Sequence, residues 1–173
     1  MLRLSAIAGL ALLTTGCGFT PLYAERGLSP TLSVIEVVTP DTRTGYLLRE
    51  ELDDELVRDR SRPAQYRLTI DLDEDRIARG LRFDDVATRY EVRLLVDYVL
   101  TREGAAPLTS GRTEVSVTYD SPDQPYAGVA ANADGQERAA AQAAQRIRLD
   151  LARFFALQQR PQTQRQAKAI PAP

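Results

Sequence analysis

Between Tyr66 and Asp73 the chain alternates, with Tyr66, Leu68, Ile70 and Leu72 on one side and Arg67, Thr69, Asp71 and Asp73 on the other. A period of two predicts a strand over 65–75 with one dry and one wet face. The alternation returns over 87–101, where Tyr90, Val92, Leu94, Val96, Tyr98 and Leu100 share a face. Glu91, Arg93, Asp97 and Thr101 dominate the opposite face, with Leu95 and Val99 as apolar intrusions. It returns again over 108–120, with Thr113, Val115, Val117 and Tyr119 against Arg112, Glu114, Ser116 and Thr118. The stretch from Gly104 to Pro107 separates these two runs, so they predict a long β-hairpin. A further strand is expected over 31–38, stopped by Pro40. Val34, Ile35, Val37 and Val38 cover both of its faces, which suits a strand buried on both sides or one carrying a bulge.

Two stretches switch to the helical period. Leu48, Leu52 and Leu56 form one stripe of a helix capped by Asp41 or Thr42 and running to Asp59. Ala140, Ala143, Ala144, Ile147, Leu151, Phe154 and Phe155 mark a second helix, capped by Asn132 or Asp134 and ending near Leu157. The order strand, helix, strand, hairpin, helix predicts an α+β two-layer sandwich. A sheet of about four strands carries two helices on one face and leaves the other face wet. Residues 76–85, with Arg76, Arg79, Gly80 and Arg82, and residues 121–128, with Pro122, Pro125 and Tyr126, read as loops. Residues 158–173 have no core pattern and are expected to be disordered.

The N-terminus changes the picture. Arg3 precedes an apolar run over 4–13, and Thr14, Thr15 and Gly16 lead to Cys17, the only cysteine. That is the layout of a secretory signal peptide, too short for the roughly 20 residues of a spanning helix. The small residues before Cys17 resemble a bacterial lipobox, although Thr14 stands where a large aliphatic residue is usual. Cleavage before Cys17 and acylation of its thiol would dispose of a lone cysteine that an exported chain otherwise leaves unpaired. Gly18, where an aspartate would favour retention in the inner membrane, favours the outer membrane by the same resemblance. The expected organisation is a signal peptide over 1–16, a lipidated tether over 17–30, one domain over 31–157 and the tail over 158–173.

Composition narrows the chemistry. With no histidine and one cysteine, His/Cys zinc sites and Ser-His-Asp or Cys-His nucleophiles are excluded. A net charge of −2 gives no case for nucleic-acid binding. No phosphate-binding glycine loop or nucleophile elbow occurs, and no cofactor or metal is expected. The acidic cluster of Glu51, Asp54 and Glu55 reads as a solvated helix face. Asp71, Asp73 and Asp75 share the wet face of their strand, so a carboxylate hydrolase using Asp71, Asp73 or Glu91 is the one enzymatic reading left, against a non-enzymatic one.

At Cys17, Gly18 and Phe19, followed by Thr20, Pro21, Leu22 and Tyr23, the chain resembles the LPS-assembly lipoprotein family LptE in its alphaproteobacterial form. The order of strands and helices agrees over most of the mature chain. The resemblance implies an outer-membrane lipoprotein that faces the periplasm from a lipidated Cys17. It implies a seat in the lumen of an LptD-type β-barrel as plug and assembly partner, in contact with lipopolysaccharide. Arg76, Arg79 and Arg82 are then the candidate contacts to lipopolysaccharide phosphates, through forked, charge-assisted bonds. The alternative is an auxiliary lipoprotein of an ABC-type phospholipid transport system, which also joins a lipidated cysteine to a small α/β domain.

Overall fold

The computed structural model of the protein describes residues 28–81, 87–102, 105–120 and 124–168. A short helix α1 (Leu28–Leu32) leads to strand β1 (Ile35–Val38), helix α2 (Arg43–Glu55), strands β2 (Tyr66–Leu81), β3 (Ala87–Arg102) and β4 (Pro107–Asp120), and a long helix α3 (Pro125–Lys168). The four strands form one sheet in the order β1-β2-β3-β4, with β1 parallel to β2 and the other pairs antiparallel. Both long helices cover one face, where Leu48, Leu52, Leu68, Leu94, Leu100, Ile147 and Leu151 are fully buried. The α+β two-layer sandwich read from the sequence is the observed fold.

The first strand is shorter than its apolar run. Residues 28–32 form a helical turn, and the Ser33 hydroxyl donates back to the Pro30 carbonyl at 3.2 Å. Val34 belongs to the turn, where its carbonyl accepts from the Gln65 and Tyr66 amides. That removes the broken alternation, because Ile35 and Val37 face the core while Glu36 and Val38 face out.

Helix α2 begins at Thr42, whose hydroxyl accepts the Gly45 N–H at 3.0 Å. Gly45 is required by close approach: a Cβ there would lie 2.2 Å from the Pro40 carbonyl oxygen. The helix ends earlier than Asp59. The Val57 amide donates to the Asp54 carbonyl and the Arg58 amide to the Asp53 carbonyl, the bond pair of a Schellman cap. That cap sets Val57 at φ 52°, in the left-handed region. An L residue there costs about 1–2 kcal/mol, and glycine returns about 0.5–1 of that through its freer unfolded chain. Val57 is 72% exposed and holds no core contact to lose. Val57→Gly should therefore stabilise the domain by roughly 0.5–1 kcal/mol and raise the melting temperature by a few degrees. A lower melting temperature would contradict this account of the cap.

The largest departures are at the ends of β2 and α3. Strand β2 continues through Leu81, so Arg76 and Arg79 lie on a strand and not in a loop. Helix α3 starts at Pro125, which suits a first helical turn, so 125–128 are helical and not a loop. Asn132 and Asp134 are mid-helix and cap nothing. Asn132 accepts from the Tyr119 hydroxyl at 2.8 Å, and Asp134 pairs with Arg138 at 2.9 Å. The apolar stripe starts only at Ala139, which is why periodicity puts the helix start too late. At its other end α3 continues to Lys168, through residues 158–168 that were expected to be disordered.

Tyr98 ties the sheet to α3, its hydroxyl donating to Asp150 Oδ2 at 3.3 Å. Burial, and then the nearby Asp150 carboxylate, push its phenol from 10.0 up to about 12. Ionisation is disfavoured in the fold, so this contribution is complete below pH 10 and is lost as pH rises toward 12. Tyr98→Phe should flatten the loss of stability between pH 10 and 12, measured by denaturant titration at each pH. An alkaline profile unchanged from wild type would remove Tyr98 as its cause.

Candidate functional site

The candidate arginines do not form one cluster. Arg76 faces the helix layer, its guanidinium 3.9 Å from the centroid of the Tyr90 ring. Tyr90 in turn stacks on Tyr119 at 5.8 Å, and Tyr119 reaches α3 through Asn132. Gly135 lets the helix approach this stack, since a Cβ there would sit 3.0 Å from the Tyr119 ring. Arg76 is exposed and has no carboxylate partner among the described residues. Arg79 lies on the opposite, open face, where its Nε donates to Glu91 Oε2 at 2.7 Å. Arg82 lies outside the described residues, as does Cys17. The sequence carried a signal for the Arg76 stack. Alternation continues past Asp75, with Arg76 and Ala78 in and Ile77 and Arg79 out, but the polar character of these residues hides it.

The carboxylates read the same way. Asp71 lies opposite Asp97, Asp73 opposite Leu95, and Glu91 opposite Ile77. Glu91 is therefore roughly 13–20 Å along the sheet from the two aspartates at about 3.3 Å per residue. Paired carboxylates in glycoside hydrolysis stand about 5–9.5 Å apart. The hydrogen bond from Arg79 holds the Glu91 carboxyl below the usual range, which makes it a fixed anion and a poor proton donor.

The rest of the open face is a lattice of ion pairs. Arg112 grips Asp97 through two bonds of 2.7 Å, and the same contact lowers the Asp97 pKa. Arg93 sits between Glu91 and Glu114, and Arg89 meets Asp120 at 2.9 Å. Beyond these pairs the face keeps an acidic excess, with Asp71, Asp73 and Asp75 exposed and in no ion pair among the described residues. At the sheet end beside Arg76, the first turns of α3 expose Tyr126 and Val129. No helix among the described residues is long and apolar enough to cross a membrane.

This two-layer fold is shared with bacterial lipoproteins of solved structure. The crystal structure of a protein from Caulobacter crescentus CB15 described as a lipoprotein is 53% identical, covering 76% of this chain and 97% of that one, with a TM-score of 0.68. Rare lipoprotein B of Shewanella oneidensis is 16% identical over 72% of this chain and 98% of that one, with a TM-score of 0.52. A lipoprotein B of Nitrosomonas europaea is 14% identical over 70% and 83%, with a TM-score of 0.53. No curated protein sequence matches the chain. The model of the family LptE, described as lipopolysaccharide-assembly, matches residues 30–151. The chain belongs to this lipopolysaccharide-assembly family.

Proposed function

We propose that the protein is an outer-membrane lipoprotein, acylated at Cys17, that sits in the lumen of an LptD-type β-barrel, assists its assembly and contacts lipopolysaccharide in transit. Residues 1–16 are the removed signal and 17–30 the tether in this reading. The supporting observation is the open sheet face. It is lined by charged side chains, with Arg112–Asp97, Arg93–Glu114 and Arg89–Asp120 paired across the strands, which suits the polar interior of a barrel. Family membership supports the non-enzymatic reading at the same coarse level.

Within this reading Arg76 is the candidate contact to a lipopolysaccharide phosphate, because its N–H groups are not engaged by a carboxylate among the described residues. Arg79 is held by Glu91, so its part is smaller, and Arg82 is kept as a further candidate. Purification from membranes through a C-terminal tag should bring down a large β-barrel protein. Depletion should lower the mature barrel and open the cell to large antibiotics. Arg76→Glu should weaken lipopolysaccharide binding more than Arg79→Glu, with a salt dependence, since exposed charges are screened beyond roughly 8 Å. Recovery of ABC-transporter components without a barrel would favour the phospholipid-transport alternative.

A further inference from the structure

Strand β2 is covered along only part of its outer edge. β1 pairs with Tyr66 to Thr69 and stops at Val38, after which the chain turns away toward α2. Beyond Thr69, no backbone hydrogen bond among the described residues reaches that side of β2. Two contacts identify the open groups. The Tyr66 amide points to this side, toward the Val34 carbonyl at 3.4 Å. The Leu72 amide points to the same side, where only the side chain of the adjacent Asp71 accepts it, at 3.1 Å. With a period of two, Leu72, Glu74 and Arg76 turn backbone N–H and C=O outward, while Asp71, Asp73 and Asp75 bond to β3.

Charge is the second observation. The side chains of Asp71, Asp73 and Asp75 line the open face directly beside this edge and are exposed. The nearby cations are committed elsewhere: Arg93, opposite Asp75, turns to Glu91 and Glu114, and Arg112 is held by Asp97. A shallow depression of about 400 Å³, lined by Asp73, Glu74, Asp75, Arg93, Leu95 and Glu114, lies next to the three aspartates.

We propose that the Leu72 to Arg76 edge of β2 takes up an extended segment of a partner protein as an added strand, with Lys or Arg at alternate positions facing Asp71, Asp73 and Asp75. The backbone of the segment pairs with the outward N–H and C=O groups, as in other strand additions. Its basic side chains project onto the open face beside Asp71, Asp73 and Asp75, where their charges meet the carboxylates at the rim of the depression. The intervening side chains fall on the helix side beside Leu72. A second copy of this chain is a poor occupant, because two antiparallel β2 edges set aspartates against aspartates. This inference does not depend on the barrel reading.

The test uses the full chain in detergent and a synthetic peptide of alternating Lys and Val. The peptide should slow amide exchange at Glu74 and Arg76, and high salt should weaken it. Asp71→Asn, Asp73→Asn and Asp75→Asn combined should lower its affinity by about tenfold while leaving the melt unchanged. A peptide N-methylated at alternate backbone amides keeps the charge and should lose binding. Equal binding of the methylated peptide, of a block-ordered Lys/Val peptide or of the triple variant would overturn the proposal. So would unchanged exchange at Glu74 and Arg76. Slowing of those amides by raised protein concentration alone would assign the edge to a second copy and equally overturn it.

Discussion

Leu52→Asp and Ile147→Asp should each leave the domain unfolded at room temperature. Both side chains are fully buried, one in the stripe of α2 and one in the stripe of α3. These helices pack against each other as well as on the sheet, so neither site can relax toward water without separating two layers. Truncating a buried leucine or isoleucine costs about 2–5 kcal/mol from lost burial and the cavity left behind. Placing an unpaired carboxylate there adds several kcal/mol more. The sum approaches the roughly 5–15 kcal/mol that holds a domain together. Tyr46→Asp is the control on α2, since Tyr46 is exposed and its replacement should leave the thermal melt unchanged. Circular dichroism with a native melt for Leu52→Asp or Ile147→Asp would mean that the helices present different faces to the core.

The core was legible because its periodicity is not contested. Leu48, Leu52 and Leu56, and Ala140 to Phe155, repeat at helical spacing, and each falls where the pattern puts it. The alternating runs of β2, β3 and β4 likewise separate a dry face from a wet one. Boundaries were less legible wherever an element runs past the core. The far part of β2 carries Arg76, Arg79 and Gly80, and its pairing with β3 persists without an apolar alternation to announce it, since Arg76 stands on the core side and Ile77 on the open side. The first turns of α3 lie beyond the apolar stripe, so Tyr126 reads as a loop residue and Val129 falls ahead of the expected cap. The tail of α3 is the mirror case, helical without a stripe.

The candidate site was legible as a list of arginines and not as an arrangement. Whether Arg76 and Arg79 share a face depends on whether that segment is a loop or a strand. A strand sends Arg76 onto Tyr90 and Arg79 onto Glu91. The free edge of β2 had no signal in the sequence at all. It arises from the mismatch between a four-residue β1 and a sixteen-residue β2, which only the pairing register reveals.

Cys17→Ala should detach the protein from the membrane while leaving its fold intact. The cysteine lies outside the described residues, and the domain core begins with Leu32 and Val34. In the proposed reading Cys17 belongs to the tether over 17–30 and not to the domain, so its replacement is expected to leave the melt unchanged. Its effect is on anchoring. Each buried acyl methylene contributes about 0.8 kcal/mol, one chain binds only marginally, and a second makes anchoring stable. Loss of the thiol removes the acceptor for lipid, so the change is nearly all-or-none. Residues 17–27 extend to at most about 36–40 Å, and they join the domain at α1, beside the start of β1 and β2. Arg76 lies roughly 33 Å further along β2 at about 3.3 Å per residue. In the proposed reading a lipid on Cys17 would tether one end of the sheet, while the Arg76–Tyr90–Tyr119 stack lies toward the other. The expected result is a protein found in the soluble fraction or as an uncleaved precursor, unlabelled by a palmitate analogue, with the melt of the wild-type domain. Labelling that persists in Cys17→Ala, or membrane retention of a cleaved and unlabelled chain, would show that something other than Cys17 holds it there.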